Sequence, residues 1–157
     1  MRWFLGFVLV LAGVARASCP PEGVRVVVDT AARELLLCES GRAARSYPVA
    51  LGRGGLDKKR EGDGRTPLGE YPLAAPRASA QFHTFLAVGY PTAEQRKAGL
   101  TGGAVGVHGP GRSFRFLGPL TTATDWTAGC IAVASDAQID EIAAWVRTHA
   151  ARVIEIQ

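Results

Sequence analysis

The chain has 157 residues, 47% hydrophobic and 20% charged, which suits one domain with a buried core and excludes wholesale disorder or a second full-sized domain. The formal charge is +4, and setting aside Arg2 and Arg16 near the N-terminus leaves 16 basic against 14 acidic residues. So mild an excess, with no basic stripe interleaved with aromatics, excludes nucleic-acid binding as the main role.

Read from the start, Met1-Arg2 is a short positive region, Trp3 to Val14 is apolar, and Ala15-Arg16-Ala17 is a small-x-small cleavage site. Residues 1–17 therefore read as a secretory signal peptide, too short to serve as a permanent anchor, which sends the protein to the periplasm or cell wall. Lipidation at Cys19 is the alternative, although Arg16 stands three residues before it, where a lipobox has a residue such as Leu. Export makes the three cysteines informative, because an oxidising compartment favours pairing. Cys19 precedes the first strand candidate and Cys38 ends the second, so these two could sit side by side as a disulfide. Cys130 is then left over, and an odd thiol is buried and inert, shared between chains, or reactive.

Val24 to Asp29 and Glu34 to Cys38 are apolar runs joined by Thr30 to Arg33, the pattern of a β-hairpin. After the turn at Glu39 to Arg42, Ala43 to Leu51 reads as a third strand, with Pro48 marking an edge or a bulge. Gly52 to Gly64 is dense in glycine and charge and reads as a surface loop, and Gly69 to Leu73 resumes a strand pattern. Phe82 to Tyr90 is another strand candidate, Thr92 to Ala98 a short helix, and Ala104 to His108 a strand ending on the histidine. Pro110 to Thr124 reads as loop and Ile131 to Ala134 as strand. Ser135 with Gln138 forms a capping box for a helix whose Ile139, Ile142 and Val146 share one face, and Arg152 to Gln157 alternates as a closing strand. Short strands with one late helix and no βαβ rhythm predict a mainly β domain over residues 24–157.

Three histidines are available. His149 falls at the negative end of the late helix and reads as a cap. His83, inside a strand candidate, reads first as a structural residue. His108 differs, because Gly106, Gly109 and Gly111 surround it at a strand end, and such backbone freedom around a polar side chain is characteristic of a site. Cys130 follows Gly129, whose backbone freedom lets the amides of residues 129 and 130 converge as an oxyanion hole. Acyl transfer by cysteine needs a thiolate, an imidazole to carry the proton and donors for the oxyanion, and these residues supply that set. A metal site from His83, His108 and Cys130 lacks any ligand spacing of the CxxC, HxH or HExxH kind, and no metal or cofactor is expected. Serine chemistry fails as well: Lys58, Lys59 and Lys97 lie in no SxxK or KTG motif, and no GxSxG elbow exists.

At these residues the chain resembles the L,D-transpeptidases of the YkuD family. Val26-Val27-Val28-Asp29 through Leu35-Leu36-Leu37 resembles the opening hairpin, and Tyr47-Pro48-Val49-Ala50-Leu51-Gly52 the strand before the glycine-rich loop. Thr66-Pro67-Leu68-Gly69-Glu70-Tyr71 is similar to the TPxGxY element, Val107-His108-Gly109 to the HG motif, and Gly129-Cys130-Ile131 to the GC motif. The resemblance implies a catalytic domain built as a β-sandwich or barrel with one C-terminal α-helix and short helical turns. It makes Cys130 the nucleophile and His108 the base, with Gly109 and Gly129 in supporting and oxyanion roles. His83, Tyr90, Asp125, Trp126 and Thr127 are the further candidates for substrate contact.

By the same resemblance the substrate is a peptidoglycan tetrapeptide stem, attacked at the L-centre of its diamino acid. A thioester forms and an acceptor amine resolves it, giving cross-links or attached protein, and carbapenems acylate such enzymes. A monomer needing no cofactor is expected. The chain departs from the family's S/T-H-G-C-I-R at Ala128 and Ala132, which replace the histidine and the arginine. Asp125-Trp126-Thr127-Ala128-Gly129-Cys130-Ile131-Ala132-Val133 looks instead like a subgroup with DWTxGCIAV, some of whose neighbours are similar to amidases that release wall-linked lipoprotein. Hydrolysis of stem peptides or release of lipoprotein is thus the second reading. A wall-binding domain that has lost turnover is a third, from another class.

Overall fold

The computed structural model describes residues 17–157; all of the signal-peptide reading except Ala17 lies outside the described residues. The strands are β1 (Val24–Asp29), β2 (Glu34–Glu39), β3 (Arg42–Ala50), β4 (Gly69–Pro72), β5 (Arg77–Ser79), β6 (His83–Ala87), β7 (Gly106–His108), β8 (Ile131–Val133) and β9 (Val153–Ile156). They form one curled nine-stranded sheet in the order β4-β9-β1-β2-β3-β8-β7-β6-β5. Helix α1 is Ala93–Lys97 and α2 is Asp136–Thr148. The fold is mainly β with few helices, as expected.

One core lies inside the curl. Val26, Val28, Leu35, Leu37, Tyr47 and Val49 reach it from the first half of the sheet, and Leu86, Val107, Ile131 and Val133 from the second. Helix α2 closes it with Ile139, Ile142, Ala143 and Val146. Ser135 caps that helix by accepting from the Gln138 amide, while Gln138 Oε1 accepts from the Ala134 amide, one residue earlier than a capping box requires. His149 is the C-cap, and its Nδ1 lies 3.0 Å from the Trp145 carbonyl.

Strands β1 and β2 read as unbroken apolar runs because both their faces are covered. Val27, Leu36 and Cys38 form a second small cluster on the outer face, packed by Ala17 and Cys19. A Cys19–Cys38 disulfide fastens this segment, and the Ala17 amide donates to Asp29. Replacing both cysteines by serine is expected to cost about 2–4 kcal/mol in chemical denaturation, since a closed loop no longer restricts the unfolded chain. An unchanged denaturation midpoint would show that the outer cluster holds without it.

Three details differ from the sequence reading. Pro48 lies in an interior strand, tolerated because it ends the ladder to β2 just before β3 takes up pairing with β8; the bulge is at Leu37/Cys38. The segment read as loop from Pro110 contains 3₁₀ turns over Arg112–Thr122, broken at Gly118 with φ 51° before Pro119. Strand β5 escaped notice because three residues on an exposed edge carry no alternation.

Candidate active site

Parallel pairing of β7 with β8 sets Val107 against Ile131 and His108 against Ala132. Val107 and Ile131 point into the core, so alternation turns His108 and Ala132 to the opposite face. Cys130 immediately precedes β8, and the same alternation continued by one residue would carry it to the face of His108, one strand over. The long connection between the two residues is therefore closed by the sheet itself.

His108 is 1% exposed and walled by aromatic rings. Phe82 stacks on it at 3.8 Å between centroids, Phe85 lies at 6.0 Å, and Trp126 meets it edge-on at 6.1 Å. Its Nδ1 is 2.6 Å from the Gly109 carbonyl, and since a carbonyl only accepts, Nδ1 carries the proton. A neutral ring held so presents Nε2 as its basic nitrogen. Burial lowers the His108 pKa to about 4, against a smaller upward pull from the Gly109 bond, so the ring is neutral at pH 7.

Cys130 is the free cysteine among the described residues and is half-buried. Its Sγ lies 3.5 Å from the Ala104 carbonyl. Burial pushes the thiol pKa up, while a backbone hydrogen bond from Gly106 and the charge of Lys58 pull it down. At rest Cys130 is thus a thiol and His108 a neutral imidazole; the hydrogen bond of Sγ is to the Ala104 carbonyl and not to His108.

The turn before Cys130 is tightly built. Thr127 is buried, and its hydroxyl accepts from the Gly129 amide at 3.1 Å and donates to the Cys130 carbonyl at 2.7 Å. Gly129 has φ +127°, and a Cβ there would lie 2.5 Å from the Arg65 carbonyl oxygen. Asp125 accepts from the Leu51 amide and pairs with Arg33, both at 2.8 Å, which braces the loop against β3 and the β1–β2 turn. Trp126 donates from its indole to the Thr121 carbonyl and lines an apolar cavity of about 370 Å³ with Phe114, Leu117 and Leu120.

The remaining candidates stand further off. Tyr90 is buried and donates to the Lys58 carbonyl at 3.0 Å. His83 is exposed, with φ 66°, and its Nε2 pairs with Asp140 at 2.9 Å. Among the described residues, no group of three or more His, Cys, Asp or Glu is placed to hold a metal.

Two residues of the glycine-rich loop had no part in the sequence reading as site residues. Lys58 is only 4% exposed, and its ammonium bonds Asp63 at 2.7 Å and the Arg60 carbonyl at 3.1 Å. It lines a polar cavity of about 500 Å³ together with Arg53, Glu61, Ala104 and Ala128. Ala104 and Ala128 bring that cavity to Cys130. The adjoining Gly-Asp-Gly before Thr66-Pro67 was the available signal, but sequence does not reveal which lysine is buried.

The L,D-transpeptidase catalytic domain (YkuD) family matches residues 23–154. This chain belongs to that family. No curated protein matches it in sequence. Among solved structures, it is similar to the helical cell shape determining protein Pgp2 from Campylobacter jejuni, with a TM-score of 0.68 and 22% identity over 85% of this chain and 47% of that one. Bd1075 from Bdellovibrio bacteriovorus gives 0.60 and 21% over 87% and 48%. The L,D-transpeptidase (residues 123–326) from Xylanimonas cellulosilytica gives 0.53 and 19% over 88% and 62%. At these identities the likeness is one of fold, and the chain spans about half the length of the first two.

Proposed function

We propose that the protein is an L,D-transpeptidase that works through a Cys130 thioester on peptidoglycan tetrapeptide stems outside the cytoplasm. The observation that carries this reading is the parallel pairing of β7 with β8, which sets His108 one strand over from the segment that Cys130 leads into, with the His108 Nδ1 proton committed to the Gly109 carbonyl. His108 Nε2 takes the thiol proton as Sγ attacks the L-centre carbonyl. The Gly129 amide, expected from the sequence as one oxyanion donor, is taken by the Thr127 hydroxyl, so the Cys130 amide is the donor this turn offers the tetrahedral oxyanion. Collapse expels D-alanine, whose amine takes the proton back from His108. An acceptor amine, or water in its place, then attacks the thioester with the same base assisting. The Cys19–Cys38 disulfide supports a location outside the reducing cytoplasm.

Hydrolysis remains a second reading, favoured by Ala132, which leaves no arginine after Gly129-Cys130-Ile131 to hold a carboxylate. Purified protein incubated with a disaccharide-tetrapeptide and analysed by mass spectrometry is the test. Both reactions release D-alanine; transpeptidation predicts a cross-linked dimer beside it, and hydrolysis the tripeptide with no dimer. If folded protein leaves the tetrapeptide intact, the acyl-transfer assignment fails and a wall-binding role takes its place.

A further inference from the structure

The neutral thiol and imidazole leave a problem of charge. When the proton moves from Sγ to His108, negative charge develops first on sulfur and then on the substrate oxygen, in a half-buried setting where it is costly. His108 becomes positive during the step, but its burial disfavours that charge as well. A standing cation nearby would ease both stages.

Lys58 occupies such a position. A Cβ on Gly129, the residue next to Cys130, would lie 3.9 Å from Lys58 Nζ, and one on Gly102 would lie 3.0 Å from its Cε. The cavity that Lys58 lines includes Ala104, whose carbonyl contacts Cys130 Sγ. The ammonium has three donors, and Asp63 and the Arg60 carbonyl accept from it. Asp63 offsets that charge only in part, because the carboxylate is shared with the amides of Lys59, Arg60 and Arg65, from which it also accepts. Although burial pushes the Asp63 carboxyl up, the Arg60 amide, the Lys58 ammonium and the amides of Lys59 and Arg65 together hold it well below the usual carboxylate range. It is therefore an anion throughout the neutral range and holds the Lys58 ammonium in place. Tyr90 holds the Lys58 backbone through its carbonyl.

We propose that Lys58, clamped by Asp63, is the electrostatic positioning residue of the site, stabilising negative charge on Cys130 Sγ and on the oxyanion beside Gly129. This deepens the acyl-transfer reading and rests on it. Lys58 gives up no proton in the cycle; His108 alone carries the proton. The other charged groups lining the cavity of Lys58 are Arg53 and Glu61, while His108 on β7 is neutral at rest.

The test reads the thiol directly, without any wall substrate. The rate of Cys130 alkylation by iodoacetamide is measured against pH for the wild type, Lys58→Arg, Lys58→Met and the double variant Lys58→Met/Asp63→Asn. The double variant leaves no orphaned carboxylate, so it covers the case in which Lys58→Met does not fold. Loss of the cation is expected to slow alkylation at neutral pH about tenfold and move its midpoint upward, with Lys58→Arg close to wild type. An unchanged midpoint in a folded variant lacking the cation overturns the proposal, as does a Lys58→Arg variant as slow as Lys58→Met. Should the wild type fail to process tetrapeptide while these shifts hold, it is the proposed activity that falls and not the role of Lys58.

Discussion

Intact-mass measurement after incubation with a carbapenem is expected to show one adduct on Cys130, lost in Cys130→Ser and formed about 10²–10⁴-fold more slowly in His108→Gln. The size of the His108 effect follows from its place in the site. Burial and the Gly109 bond fix one tautomer, so every neutral ring offers Nε2 as its base. A pH profile sharpens the expectation. An unperturbed imidazole would lose its basic form below 6.5, whereas His108 keeps it to about 4. Acylation should therefore hold as pH falls through 6.5 and drop only near 4, and a limb at 6.5 would place a different, exposed base in the mechanism. Stability moves in the same window. The unfolded chain binds a proton at His108 near 6.5 and the folded chain only near 4, so this contribution is complete above 6.5 and is lost as pH falls through 4.

Gly129→Ala should cost about 3 kcal/mol and abolish acylation. Two separate causes converge there. The φ of +127° is closed to an L side chain without strain, and the added Cβ would sit 2.5 Å from the Arg65 carbonyl, a backbone atom that cannot swing aside. Gly23→Ala is the control: its φ of +80° is also strained, but nothing lies within 4 Å of the new methyl. It should cost only about 1 kcal/mol. Urea denaturation of both variants measures the difference. Equal midpoints would show that the Arg65 contact yields and that Gly129 matters for its φ alone.

The opening hairpin was legible because β1 and β2 are long and apolar and are joined by a short turn, and its strands fall where the pattern puts them except for one added residue at Glu39. Helix α2 was legible from its cap and its 3.6-residue apolar period. The 3₁₀ turns before Asp125 were not, since their exposed Phe114, Phe116 and Leu120 answer to no period that a sequence reading tests. Asp125 and Trp126 stood out in sequence, but only coordinates show that Asp125 bonds Leu51 and Arg33 while Trp126 sets an edge against His108.

By itself, the sequence determined the candidate pair: a lone thiol after Gly129 and a histidine among glycines are chemical identities, visible without coordinates. It also determined the mainly β class, through the lengths and periods of its apolar runs. Only the tertiary structure decided the state of that pair. Their protonation depends on burial, on Phe82 and Trp126 against the ring, and on a lysine from a distant loop, and these are relations between segments that no local pattern encodes.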